Sequence, residues 1–205
     1  YVDSTLVFLE LAYDIQVNDL GYLPPLQDNG GGGGPEIDVY IKNYGNSGGY
    51  GASEAVYTGE GMAAYLFIDN DFSESQYRAK GYGGLRVTTA HEVFHAVQFR
   101  YMDDPYTLRW WMEQTAVWME EHIWDDENDY IAYNRYFFVN YRTTSLDSND
   151  NSYMYGAALW PIFLSEKYGD EVIRDLWEAL AEAETPGILT FDEVLEDGLE
   201  AAFHE

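Results

Sequence analysis

Two histidines four residues apart, with a glutamate directly after the first, stand at His91-Glu92-Val93-Phe94-His95. On an α-helix such positions share one face about a turn apart, so both imidazoles could bind one divalent ion while Glu92 leans toward the same site. Val87, Val93, Phe94, Val97 and Phe99 frame the stretch, and residues 86–101 read as an amphipathic helix. A histidine pair at this spacing also arises on ordinary helix surfaces. The chain has only four histidines, however, and two of them flank a glutamate inside an apolar frame, which favours a shared divalent ion.

The pattern is HExxH, in which the histidines hold zinc and the glutamate acts as a base. A catalytic zinc takes three protein ligands and leaves one position to water. The chain has no cysteine, and Tyr101 occupies the six-residue step after His95 at which metzincins carry a third histidine. A carboxylate is therefore expected as the third ligand. Glu113 fits best, because it follows in Trp110-Trp111-Met112-Glu113-Gln114-Thr115-Ala116, a segment that reads as a helix able to fold back on the motif after Pro105. A solvated glutamate suits such apolar neighbours poorly.

These residues resemble the gluzincin branch of zincin metallopeptidases, in which HExxH is followed at a similar distance by a glutamate in a W-x-x-E helix. The closest likeness is to a sparsely characterised family of bacterial, mostly secreted metalloproteases. It covers the Asp38-Val39-Tyr40 strand after a glycine-rich loop, residues 91–98, the Trp-Met-Glu helix and Tyr155-Gly156-Ala157-Ala158-Leu159-Trp160. Gln114 departs from the glycine usual after the ligand glutamate. The resemblance implies an α+β, zincin-like fold: a small N-terminal mixed β-sheet, an active-site helix and a mainly helical C-terminal part. It also implies a zinc metalloendopeptidase.

With His91, His95 and Glu113 on zinc, Glu92 is the expected general base. A carboxylate normally orients a ligand histidine through its other ring nitrogen; Glu120, seven positions after Glu113 on the same helix face, is the first choice and Glu121 the alternative, with a plain surface charge the competing reading for either. An oxyanion donor is also needed, for which Tyr155 and Tyr153 precede the next helix; among 19 tyrosines, packing is the plainer role for each. His122 and His204 read as surface or packing residues. His122 is nonetheless the side chain that would close a purely structural zinc site.

Along the chain, residues 4–19 show three- and four-residue apolar steps and predict a helix ended near Gly21 and Pro24-Pro25. The glycine run at 30–34 predicts a flexible loop or a close backbone approach, and lacks the Lys-Ser/Thr ending of a phosphate loop. Period-two alternation predicts a strand at 37–42, and an apolar run predicts another at 63–69, with a loop at 45–51. Further helices are expected at 110–123, 130–141, 155–168 and 171–183. One catalytic domain covers 1–205, with a sheet-bearing lobe to about residue 101 and a helical lobe from about 102.

The 205 residues, 46% hydrophobic, suffice for a sizeable core. A net charge of −27 repels nucleic acid and anionic membranes, and no apolar run is long enough to span a bilayer. The expected partner is a protein or peptide substrate. The acidic clusters at 69–71, 125–129 and 147–151 offer oxygen ligands of the kind calcium takes, without EF-hand spacing; solvated turns are the first reading and calcium the second. The chain begins without methionine, as a mature secreted fragment or a trimmed chain would, and a secreted location is expected. The alternative function is a non-catalytic zincin-like module binding peptide or glycan, which the intact Glu92 disfavours. No G-x-M-E-N signal for an aminopeptidase is present.

Overall fold

A computed structural model describes residues 1–47 and 49–203. It is an α+β fold of eight helices and a three-stranded mixed sheet among the described residues. Helix α1 (Val2–Tyr13) leads into strands β1 (Asp38–Lys42), β2 (Gly51–Thr58) and β3 (Gly61–Asp69). The motif helix α2 (Tyr82–Gln98) and then α3 (Arg109–Ile123) follow. The chain continues through α4 (Asn134–Asn140), α5 (Asn151–Gly156), α6 (Leu159–Tyr168), α7 (Glu171–Glu182) and α8 (Gly198–Phe203).

The sheet order is β1-β3-β2. β1 runs parallel to β3, whereas β2 and β3 form an antiparallel hairpin with Thr58 opposite Gly61. The two expected strands are therefore present, and a third, β2, lies where residue 51 was expected to end a loop. Its sequence, Gly-Ala-Ser-Glu-Ala-Val-Tyr-Thr, is rich in weak strand formers and has no clean two-residue burial pattern. Pairing with the apolar β3 and packing on α2 make it a strand.

The expected amphipathic character of α2 is corrected by its surroundings. From Leu85 to Gln98 every residue except Arg86 is buried, because α1, α3 and the sheet pack around it. α3 is equally enclosed from Trp110 to Glu120. One continuous core joins Leu66 of β3, Phe94 and Val97 of α2, Trp111 and Met119 of α3, and Trp177 of α7. Gly51 lets β2 pass against α2. A Cβ there would lie 2.8 Å from Glu92 Oε1, from Phe67 O and from Thr88 Cγ2.

Other boundaries shift for local reasons. The helix expected at 155–168 is broken at Ala157-Ala158, since Pro161 lacks an amide hydrogen and its ring would clash with the Ala157 carbonyl in a continuous helix. The helix expected at 4–19 widens into a π-helical segment, Asp14–Asp19, that carries the fully buried Gln16 to the Ala90 carbonyl at 2.9 Å. The segment 130–141 divides into a 3-10 turn, Asp129–Ala132, and α4. The glycine run forms a short exposed turn, Gly31–Gly33, with no buried residue. No described helix is long and apolar enough to cross a membrane.

Candidate metal centre

α2 and α3 pack side by side, and their facing surfaces carry the three expected ligands. Glu113 Oε2 lies 3.3 Å from His91 Nε2 and 3.5 Å from His95 Nε2. The three donor atoms all fall within 4.8 Å of one another, and all three residues are buried. Four ligands around zinc at about 2.0–2.1 Å stand about 3.3–3.4 Å apart along each tetrahedral edge. The two distances to Glu113 therefore match edges of such a tetrahedron, and the donor set of two imidazoles and a carboxylate is one zinc accepts.

Each imidazole is held from behind. His91 Nδ1 lies 2.6 Å from Glu120 Oε1, seven residues beyond Glu113 on the same helix. The choice between two carboxylates thus falls on Glu120, while Glu121 instead faces Asp125. His95 Nδ1 lies 2.7 Å from Gln98 Oε1, and the Gln98 amide donates to Met112 O and Thr115 Oγ1, both at 3.0 Å. One glutamine thereby ties the motif helix, its second histidine and the ligand helix together.

The charges favour a cation at the centre. Burial alone would lower the His91 pKa, but hydrogen bonds with Glu113 and Glu120 raise it well above the usual range. Burial would likewise raise Glu113, yet the two imidazoles hold it far below an ordinary carboxylate. Burial pushes Glu120 up to about 7, against the pull of His91. Two imidazoles and three carboxylates, Glu92 included, share one poorly solvated space.

Glu92 lines the same cleft as the triad and is held by Ser53 of β2. Ser53 Oγ approaches its Oε2 at 2.7 Å and its main-chain oxygen at 2.9 Å. Tyr155 stacks on His91, with ring centres 6.2 Å apart and planes 19° apart. Burial and the Glu113 carboxylate, to which its hydroxyl is hydrogen-bonded, raise its pKa well above 10, so it keeps its proton. Tyr153 is turned elsewhere: its hydroxyl donates to Thr144 O and its ring packs on Phe137. A cleft of about 570 Å³ beside the triad is bordered by β2 and by His91, Glu92, His95, Arg109, Glu113 and Tyr155. Arg109 Nε stands 3.9 Å from Glu113 Oε1.

A family model described as "Family of unknown function (DUF6055)" matches residues 1–196. The chain belongs to this family. No curated protein and no solved structure matches it. The matched span of this DUF6055 chain contains every residue of the centre, from Ser53 to Tyr155.

Of the remaining candidates, His122 is not drawn to the triad. Its Nδ1 faces Asp170 at 3.4 Å and its ring lies against Trp118, so it does not close the site. His204 falls outside the described residues. In the cluster at 69–71, the Asp69 carboxylate accepts main-chain hydrogens from Tyr44, Asp71 and Phe72, which makes it a loop anchor; Asp71 and Glu74 lie beside it. Asp147 accepts from Ser145.

Sequence reasoning missed Ser53, Gln98 and Arg109. Gln98 was findable, since it stands three residues after His95 on the same helix face. Ser53 carried no signal, because it belongs to a strand that its own sequence does not announce.

Proposed function

We propose that this chain is a zinc-dependent endopeptidase of gluzincin type, with a zincin-like arrangement of motif helix, small sheet and ligand helix. The observation that carries the reading is the meeting of His91, His95 and Glu113 at zinc-ligand spacing, with Glu92 alongside and the edge strand β2 lining the same cleft. Among the described residues β2 is an edge strand of the sheet and lines the cleft, so an extended peptide laid there can pair with its outer main-chain groups.

Bound zinc supplies a Lewis acid and a water acidified toward neutrality. Glu92, steadied by Ser53, takes the water proton and hands it to the departing amine. Tyr155, which keeps its proton, donates to the carbonyl oxygen as charge gathers there. Glu120 and Gln98 fix the two imidazoles so that their Nε2 atoms converge.

The test is metal analysis and peptide cleavage on wild type and Glu92→Gln. Both proteins are expected to retain one zinc per chain, and the variant to lose cleavage by at least about 10²-fold. A wild type that binds no zinc, or a variant that cleaves as well as wild type, removes the proposal.

A further inference from the structure

Beside the triad a second cavity, of about 220 Å³, lies between the start of β2 and the middle of α2, from Val87 to Glu92. It shares Gly51, His91, Glu92 and Tyr155 with the cleft beside the triad, so the two spaces adjoin. Its remaining walls include the rings of Tyr50 and Tyr133, and its other charges are Glu120 and Asp129. Among the described residues, no lysine or arginine lines it. Pockets for free small molecules run to about 300–1,000 Å³, so this space suits a single side chain.

Asp129 sets the character of the cavity. It is 3% exposed, and its Oδ1 accepts the Ala79 amide at 2.8 Å and the Tyr50 hydroxyl at 3.3 Å. No bond to its second oxygen is found among the described residues. Burial raises its pKa, and the Ala79 amide, the Tyr50 hydroxyl and Arg78 only partly oppose that rise. Arg78 itself directs its Nε to the Asn128 carbonyl and is no part of the cavity wall. A largely buried carboxylate that lines the cavity, with one oxygen committed to Ala79 and Tyr50, is placed to receive a cation on the other.

Aromatic walls with such a carboxylate fit the stem and head of a basic side chain. The position relative to the triad gives the direction. The cavity is lined by His91 and Glu92 but by neither His95 nor Glu113. Glu92 delivers its proton to the departing amine, so the cavity adjoins the amine side of the cleaved bond. The net charge of −27 draws basic peptides toward the whole molecule.

We propose that this cavity seats the lysine or arginine that follows the cleaved bond, with its ammonium or guanidinium group on Asp129. The inference rests on the peptidase reading, and the experiment separates the two. Synthetic peptides matched except for arginine or norleucine after the bond are digested by zinc-loaded wild type and Asp129→Asn, with sites read by mass spectrometry. In parallel, N-acetyl-arginine amide and N-acetyl-norleucine amide are titrated into both proteins by calorimetry. Asparagine keeps an oxygen for Ala79 and Tyr50, and thermal unfolding checks that the fold survives.

Wild type is expected to prefer arginine, and Asp129→Asn to reduce the arginine-to-norleucine ratio of kcat/KM by roughly tenfold or more. Arginine amide should bind wild type and lose its binding in the variant. Cleavage without a basic preference, or a preference that Asp129→Asn leaves intact, overturns the cavity assignment and leaves the peptidase reading standing. Absence of cleavage with Asp129-dependent arginine binding supports the cation site and removes the peptidase reading. Absence of both overturns both. If the variant fails to fold, wild-type selectivity and amide binding alone decide.

Discussion

Gln98→Leu tests the hydrogen-bond relay behind His95. The substitution keeps an apolar side chain of similar length but removes the 2.7 Å acceptor from His95 Nδ1 and the two 3.0 Å donations to Met112 O and Thr115 Oγ1. Thr115 retains its bond to Trp111 O, so the principal orphan is the buried Nδ1–H of His95. An unsatisfied buried donor of this kind costs about 1–3 kcal/mol. For a chain of this size each kcal/mol lowers Tm by roughly 2–4 °C, so the metal-free variant should melt roughly 2–12 °C below wild type. Freeing the ring of its partner should weaken zinc binding about 10–100-fold, equivalent to about 1.4–2.7 kcal/mol.

Competition for zinc against a chromophoric chelator measures the second effect apart from the first. His95→Ala serves as the reference for a lost ligand. Gln98→Glu, which preserves an acceptor for Nδ1, should bind zinc more tightly than Gln98→Leu. A Gln98→Leu protein that melts lower yet binds zinc within about twofold of wild type would refute the relay, because Gln98 would then only pack the two helices.

Two further outcomes follow from the same geometry. Gly51→Ala forces a methyl group to 2.8 Å from Glu92 Oε1, Phe67 O and Thr88 Cγ2, and should cost about 1–3 kcal/mol in thermal unfolding while lowering kcat/KM by displacing Glu92. The Glu121 carboxyl, pushed up to about 7 by burial and then by the charge of Asp125, holds its proton in the folded chain where the unfolded chain has lost it. Stability therefore falls as pH rises from about 4.5 to 7, and Glu121→Gln should gain on wild type across that window, as read by denaturant midpoints at pH 4 and pH 8.

The four-residue step of His91 and His95, the intervening Glu92 and the apolar segment around Glu113 were legible in the sequence. Each is a local property of one helix: spacing fixes which face a side chain shares, and enclosing apolar neighbours mark a glutamate that has no reason to be solvated. The strands β1 and β3 were legible for the same reason, since alternation and apolar runs are written within a few residues. Tyr155 could be named only beside Tyr153, and Glu120 was preferred to Glu121 only by its place on the Glu113 face of the helix. In both pairs the partners on other elements made the choice: His91 faces Glu120 and Tyr155, whereas Tyr153 turns to Thr144 and Glu121 to Asp125.

What tertiary structure alone decided lies across chain separations that no local pattern records. Ser53 meets Glu92 across 39 residues, Tyr50 meets Asp129 across 79, and the strand that carries Ser53 exists only because β3 and α2 accept it. The sequence by itself determined which groups could share a metal ion, because helical periodicity is a short-range consequence of backbone geometry. The fold determined how those groups are held, steadied and bordered, because hydrogen-bond partners and cavity walls depend on packing between elements remote in sequence.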